Sequence, residues 1–177
     1  DKESHTIWVK FRVVETGDAT LDSAHVVIWT TTPWTIPSNK AVVYGSDISY
    51  GLYEVTGRPE ECWATIGDRY ILADNLAADV MGKARLDDTM YRRLCDVTDD
   101  DLAKIKLTHP LNGADGSNGE WDDIRDFRAA DFVTDTEGTG FVHCAPSHGM
   151  EEYELYRDLG MLEQVITYNV MDDGSFR

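Results

Sequence analysis

From His5 to Val14 the chain alternates between apolar and polar positions. His5, Ile7, Val9, Phe11 and Val13 fall on one face, and Thr6, Lys10 and Arg12 fall on the other. That period of two predicts a half-buried strand. The stretch 24–30, AHVVIWT, is apolar on both faces and predicts a central strand. The runs AVVY (41–44), YGLYEV (50–55), CWATI (62–66) and RYILA (69–73) follow, separated by Gly, Asp and Pro. They suggest antiparallel hairpins, with a tight turn at Gly67-Asp68. Further strands are expected over 90–97, 103–108, 127–134 and 140–145.

Two segments change period. Asp74 is placed to cap a short helix, NLAADVM, that ends at Gly82 and turns Leu76, Val80 and Met81 inward. A second helix is expected over 150–160, with Met150, Tyr153, Tyr156 and Leu159 toward the core. Residues 111–123, LNGADGSNGEWDD, form a long polar loop. The pattern predicts one α+β domain over 1–177, mostly β, with an antiparallel barrel-like sheet and two or three peripheral helices.

Composition sharpens this. The chain has 177 residues, 42% hydrophobic, enough for a real core and too evenly spread to cross a bilayer. It opens on DKESHTIW, without a basic leader, an apolar stretch or a methionine, and reads as a fragment of a longer protein. Three cysteines with no CxxC spacing argue against a disulfide framework or a four-ligand zinc site, and for a reducing compartment. Cys62 and Cys95 read as buried small hydrophobes in strands. The net charge of −17 argues against a domain that grips a nucleic-acid backbone by itself. DVTDDDLAK and WDDIRD read as solvated acidic segments.

Two stretches carry candidate chemistry. In WTTTPWTIPSN (29–39), a strand running to Thr32 would put Thr30 and Thr32 on one face and Thr31 on the other, until Pro33 stops the ladder. Thr is a good strand former and Pro-Trp makes a rigid loop, so the segment could be purely structural. In EGTGFVHCAPSHGMEEYE (137–154), a short strand ends on His143 and a helix opens with Glu151 and Glu152. His143, Cys144, His148 and a glutamate could bind a metal, although H-x4-H here straddles a strand and a loop. Cys144 could be a nucleophile, although neighbours on a strand point to opposite faces. His143 and a carboxylate could instead line a polar pocket, or be a hydrogen-bonded core histidine and helix-dipole charges.

Together, WTTTPWTIPSNKAV and GTGFVHCAPSHGMEEYE resemble the editing domain of isoleucyl-tRNA synthetases, class I enzymes in which that domain is inserted into the catalytic domain. Leucyl and valyl relatives carry Thr-Arg-Pro where this chain has Thr-Thr-Pro-Trp. The resemblance spans the chain, with ILADNLAADVMG, THPL and VMDDGSF as weaker landmarks; HIGH and KMSKS are absent. It implies hydrolysis of wrongly attached valine, as valyl-tRNA(Ile) ester or valyl-adenylate, in the cytoplasm, with no metal and no cofactor. The partners it implies are the tRNA(Ile) 3′ end, valyl-adenylate and the rest of the synthetase chain, with no membrane.

Catalysis is implied at Thr31, Thr32, Asn39 and His143, with Thr32 and Asn39 holding the water or the ester. Thr30, Trp34, Thr35, His148, Glu151 and Glu152 are implied in substrate binding. His143 is implied to exclude isoleucine and help place the water, and Glu152 to bind the α-ammonium. Where the family carries Asp, this chain has Glu152, so its carboxylate would sit about 1.5 Å deeper unless the side chain folds back. The alternative is a non-catalytic aminoacyl-adenylate or amino-acid binding module.

Overall fold

The computed structural model describes residues 5–175. Asp1 to Ser4, the start of the predicted fragment, and Phe176 and Arg177 lie outside the described residues. The described residues build nine strands: β1 (Ile7–Glu15), β2 (His25–Thr30), β3 (Ala41–Tyr44), β4 (Tyr50–Val55), β5 (Arg69–Ala73), β6 (Tyr91–Val97), β7 (Lys106–Thr108), β8 (Ile124–Ala129) and β9 (Phe141–Cys144). Among the described residues four short α-helices join them: α1 (Ala77–Lys83), α2 (Asp99–Leu102), α3 (Met150–Asp158) and α4 (Leu162–Val165).

The sheet order is β6-β4-β5-β2-β1-β7-β8-β3-β9. Pairing is antiparallel except for β2 with β5 and β3 with β8, which run parallel and make the sheet mixed. β1 bridges the two halves: it pairs with β2 along Ile7–Arg12 and with β7 at Val13 and Glu15, across a bulge that bends it. β9 comes back to pack against β2 without a ladder between them, so the sheet is barrel-like but open. Gly140 locks this return. It sits at φ +79°, Tyr50 Oη donates to its carbonyl at 2.6 Å, and it packs against Ala73 of β5.

The alternation rules explain the core. Val26, Val27 and Ile28 of β2 are all fully buried, as both neighbours require. Phe11, Ile28, Leu52, Ile71 and Leu72 join one large cluster, each contributing about 2–3 kcal/mol by burial. Outside it, Ala41, Val43 and Cys144 pack under Tyr156 of α3 and Val165 of α4.

Several expectations are corrected. The 62–66 run is irregular, and Cys62 is half-buried there, its Sγ donating to Ala84 O at 2.9 Å; Cys95 is half-buried on β6. Gly67 does turn, at φ +91°, but inside a long connection rather than a tight hairpin. Asp74 does not cap α1, whose N-cap is Leu76. Its carboxylate instead takes Ser49 Oγ at 2.7 Å, Tyr53 Oη at 2.6 Å and the Arg93 fork at 2.9 Å, joining β4 to β6. Leu76, Val80 and Met81 are buried as predicted. The strand expected over 127–134 begins and ends earlier, at Ile124–Ala129, and the one over 103–108 narrows to Lys106–Thr108 because Thr98 and Asp101 cap α2 just ahead. On α3 only Tyr156 of the four predicted side chains is buried; Met150 is 73% exposed, and Tyr153 and Leu159 also face outward. Among the described residues no helix is long and apolar enough to cross a membrane.

Candidate functional site

β2 stops at Thr30, two residues short of the expected end, because Pro33 lacks an N–H and opens a 3-10 turn over Pro33–Ser38. The threonines therefore fold into a cluster rather than alternate. Thr32 N–H donates to Thr30 Oγ1 at 3.1 Å, and the two hydroxyls lie 3.2 Å apart. Thr35 Oγ1 donates to Thr32 O at 2.8 Å. Thr31, by contrast, is exposed.

Across from them stands His143 on β9, 8% exposed. Asn39 uses one side-chain N–H on Ala41 O at 2.7 Å and the other on His143 Nδ1 at 2.9 Å. Nδ1 is then an acceptor, and the imidazole proton belongs on Nε2. Nε2–H donates to Thr35 Oγ1 at 2.8 Å, whose own proton is already committed to Thr32 O. Each proton finds a partner only when the ring is neutral. Burial acts the same way: desolvation first, then the nearby His109 and His148, holds the pKa at about 4. With both nitrogens engaged inside the protein, His143 is poorly placed to act as an acid or a base. It is well placed to act as a rigid wall.

These groups line a recess of about 140 Å³. Six residues expected at the site meet there: Thr30, Thr32, Thr35, His143, His148 and Glu152. Four expected residues lie elsewhere. Thr31 and Glu151 are on the surface, and Trp34, 53% exposed, lines the next cleft beside Trp121. Asn39 is buried behind His143, and its Oδ1 has no partner among the described residues. It holds the histidine rather than facing the recess. Trp29, Val142, Ala145 and Gly149 complete the wall. Trp29 and Val142 had a signal, since each neighbours a predicted site residue on its strand; Gly149 had only its place before a helix.

Glu152 is the third residue of α3 and carries the site's negative charge. Burial raises its carboxyl pKa, Glu151 adds to that, and no cation among the described residues opposes it. Cys144 faces away into the outer core, where burial pushes its thiol pKa up. Among the described residues no group of three His, Cys, Asp or Glu could hold a metal ion. A larger cleft, of about 820 Å³, shares His148 with the recess, and another, of about 510 Å³, shares Thr167 and Asn169 with that cleft. The arrangement can hold a small group bearing a cation, offer hydroxyls to a water or an oxygen, and leave room for something larger alongside.

No family model matches the chain. It is 79% identical over 177 residues to an isoleucine–tRNA ligase of Ruegeria pomeroyi, matching 100% of this chain and 18% of that protein. It is 44% identical over 181 residues to one from Rhodopseudomonas palustris, covering 99% of this chain and 17% of that one. The chain thus spans under a fifth of the length of these curated relatives. Among solved structures, a crystal structure described as GlLeuRS-CP1 aligns with TM-score 0.65 at 14% identity, over 93% of this chain and 73% of the other. The Plasmodium falciparum cytosolic leucyl-tRNA synthetase editing domain aligns at 0.64 and 10% identity, over 96% and 76%. At such identities the likeness concerns the fold, and the sequence matches supply the family. The chain belongs to the isoleucine–tRNA ligase family, as a segment with the fold of a synthetase editing domain.

Proposed function

We propose that this domain hydrolyses valine wrongly esterified to tRNA(Ile), and valyl-adenylate by the same chemistry, as the second sieve of an isoleucyl-tRNA synthetase. A synthetic site large enough for isoleucine rejects valine only by one methylene, a difference too small for accurate translation; isoleucyl-tRNA synthetase is itself the standard illustration of this limit. A smaller hydrolytic pocket answers it.

The observation that carries the reading is the recess itself. Its 140 Å³ is well below the several hundred typical of pockets for drug-sized ligands, so it suits an aliphatic side chain and not a nucleoside. The cleft that shares His148 with the recess, and the next one with Trp34 and Trp121, leave space for the 3′ end of the tRNA or the adenosine of the adenylate. Glu152 would pair with the α-ammonium as a charge-assisted contact. Water held by Thr30 Oγ1 and Thr32 Oγ1 would attack the ester carbonyl. Its oxygen bonds to the carbonyl carbon, the ester C–O bond breaks, and the ribose hydroxyl leaves with a proton. Proximity and orientation supply most of the acceleration.

The acidic surface fits this reading if the rest of the synthetase holds the tRNA backbone and delivers only its end. The work is expected in the cytoplasm, where such a synthetase would meet its tRNA. The test is single-turnover deacylation of valyl-tRNA(Ile) by full-length protein, wild type and Thr32→Ala. The wild type should cleave far above the spontaneous rate, and the variant should lose about 10- to 100-fold, the weight of one well-placed polar contact. Hydrolysis at the spontaneous rate by the wild type would leave a binding module in place of an enzyme.

A further inference from the structure

Gly149 precedes α3 with φ −129° and ψ 140°, an extended conformation that any residue adopts. Its torsion angles therefore give no reason for glycine. Space does. A methyl carbon placed on its Cα would lie 2.8 Å from Glu152 Oε1 and would overlap Oε2 and Cδ of the same carboxylate outright. No real side chain tolerates such a contact, so the carboxylate occupies the volume that a Cβ would need.

The reason lies in the length of Glu152. From the first turn of α3 its side chain folds back toward the open start of the helix, where it meets its own backbone N–H. That fold takes up the extra methylene that glutamate has over aspartate. The carboxylate ends beside Gly149 on the wall of the recess, and no cation among the described residues answers it. Glu151 cannot substitute, because it points to solvent.

We infer that Gly149 is a positioning residue: its bare Cα is the seat on which the Glu152 carboxylate rests, at the height where it meets the α-ammonium of the esterified amino acid. The inference rests on the editing reading above and deepens it. Any side chain at position 149 swings Glu152 out of the recess, while a shorter acid at 152 would clear a methyl group. Gly149 and residue 152 thus form a matched pair, in which the smaller partner permits the longer acid.

The experiment compares single-turnover hydrolysis of the valyl ester of tRNA(Ile) with that of its α-hydroxy counterpart, in which a hydroxyl replaces the ammonium. Full-length protein is used as wild type, Gly149→Ala, Glu152→Asp and the double variant. The wild type should favour the amino ester by about 10- to 100-fold, the value of one charge-assisted hydrogen bond. Gly149→Ala should lose most of that preference, its rate on the amino ester falling by a larger factor than its rate on the hydroxy ester. Added to Gly149→Ala, the Glu152→Asp change should restore the amino ester, an interaction between the two changes that independent sites would not show. A Gly149→Ala variant that keeps the preference, loses both esters equally, or gains nothing from Glu152→Asp overturns the pairing. A wild type that leaves both esters at the spontaneous rate overturns the editing reading, and the pairing with it.

Discussion

The protonation of His143 is decided by its neighbours rather than by its own chemistry. Asn39 donates to Nδ1 and Thr35 accepts from Nε2–H, so the ring is held neutral and oriented from behind. Replacing Asn39 with Asp removes the donor and puts a carboxylate beside the imidazole, which favours its charged form. His143 should then titrate more than a pH unit above its present value of about 4, measured by NMR of the labelled ring; an unmoved titration would contradict the hydrogen-bond assignment. At this scale the sequence was informative in a particular way. Thr30, Thr32, Thr35, His143, His148 and Glu152 could be grouped from two motifs, and they do meet around one recess. Thr31, Trp34, Asn39 and Glu151 could not be sorted from them. Which hydroxyl faces inward depends on where β2 ends, and Asn39 reaches His143 only through a 3-10 turn that the linear text does not display.

Among the elements, β9 matters most, because it carries His143 and returns to β2 without a ladder to hold it there. Gly140 is the residue that permits this return. Its φ of +79° disfavours any side chain, and an added Cβ would press into Ala73. Gly140→Ala should therefore cost at least about 2 kcal/mol, from left-handed strain plus overpacking, seen as a lower urea midpoint with an unchanged slope. A loss below about 0.5 kcal/mol would contradict the strain and close packing assigned to Gly140. Strand existence was legible from alternation in β1 and from the apolar run of β2. The parallel partnerships of β2 with β5 and β3 with β8 were not, since they join segments far apart in sequence and no local period encodes them. Helix α3 forms where expected, but its inward face was misread for a different reason. It lies on the outside of the curl and buries little beyond Tyr156, so its apolar positions at Met150, Tyr153 and Leu159 carried no inward face.

For the whole molecule, two buried neutral histidines couple folding to pH. His109 matches His143: its Nδ1 accepts from Leu111 N–H, its Nε2–H donates to Ile36 O, and burial holds its pKa at about 4. Both folded values lie below the unfolded value near 6.5, so the unfolded chain binds more protons between them. The stability these histidines contribute is complete above about pH 6.5 and is lost as pH falls toward 4, up to roughly 3 kcal/mol for each. Asp74 acts lower: the Arg93 fork chiefly holds its carboxyl pKa at about 2, so its contribution persists until strongly acid pH. Urea midpoints measured from pH 7.5 to 5 should fall less steeply in His109→Gln than in the wild type. Equal slopes would remove His109 from the pH response. Composition indicated a compact acidic domain, but not that its site sits in a fold whose interior histidines must stay uncharged.

The central proposal is that a neutral, fixed His143 closes the recess so that it admits valine and excludes isoleucine. Single-turnover deacylation of isoleucyl-tRNA(Ile), set against valyl-tRNA(Ile), by full-length protein carrying His143→Ala tests it most directly. Opening that wall should let the longer side chain enter, so the variant should cleave the isoleucyl ester, which the wild type is expected to spare, while keeping activity on the valyl ester. Discrimination as strong in the variant as in the wild type would contradict the claim.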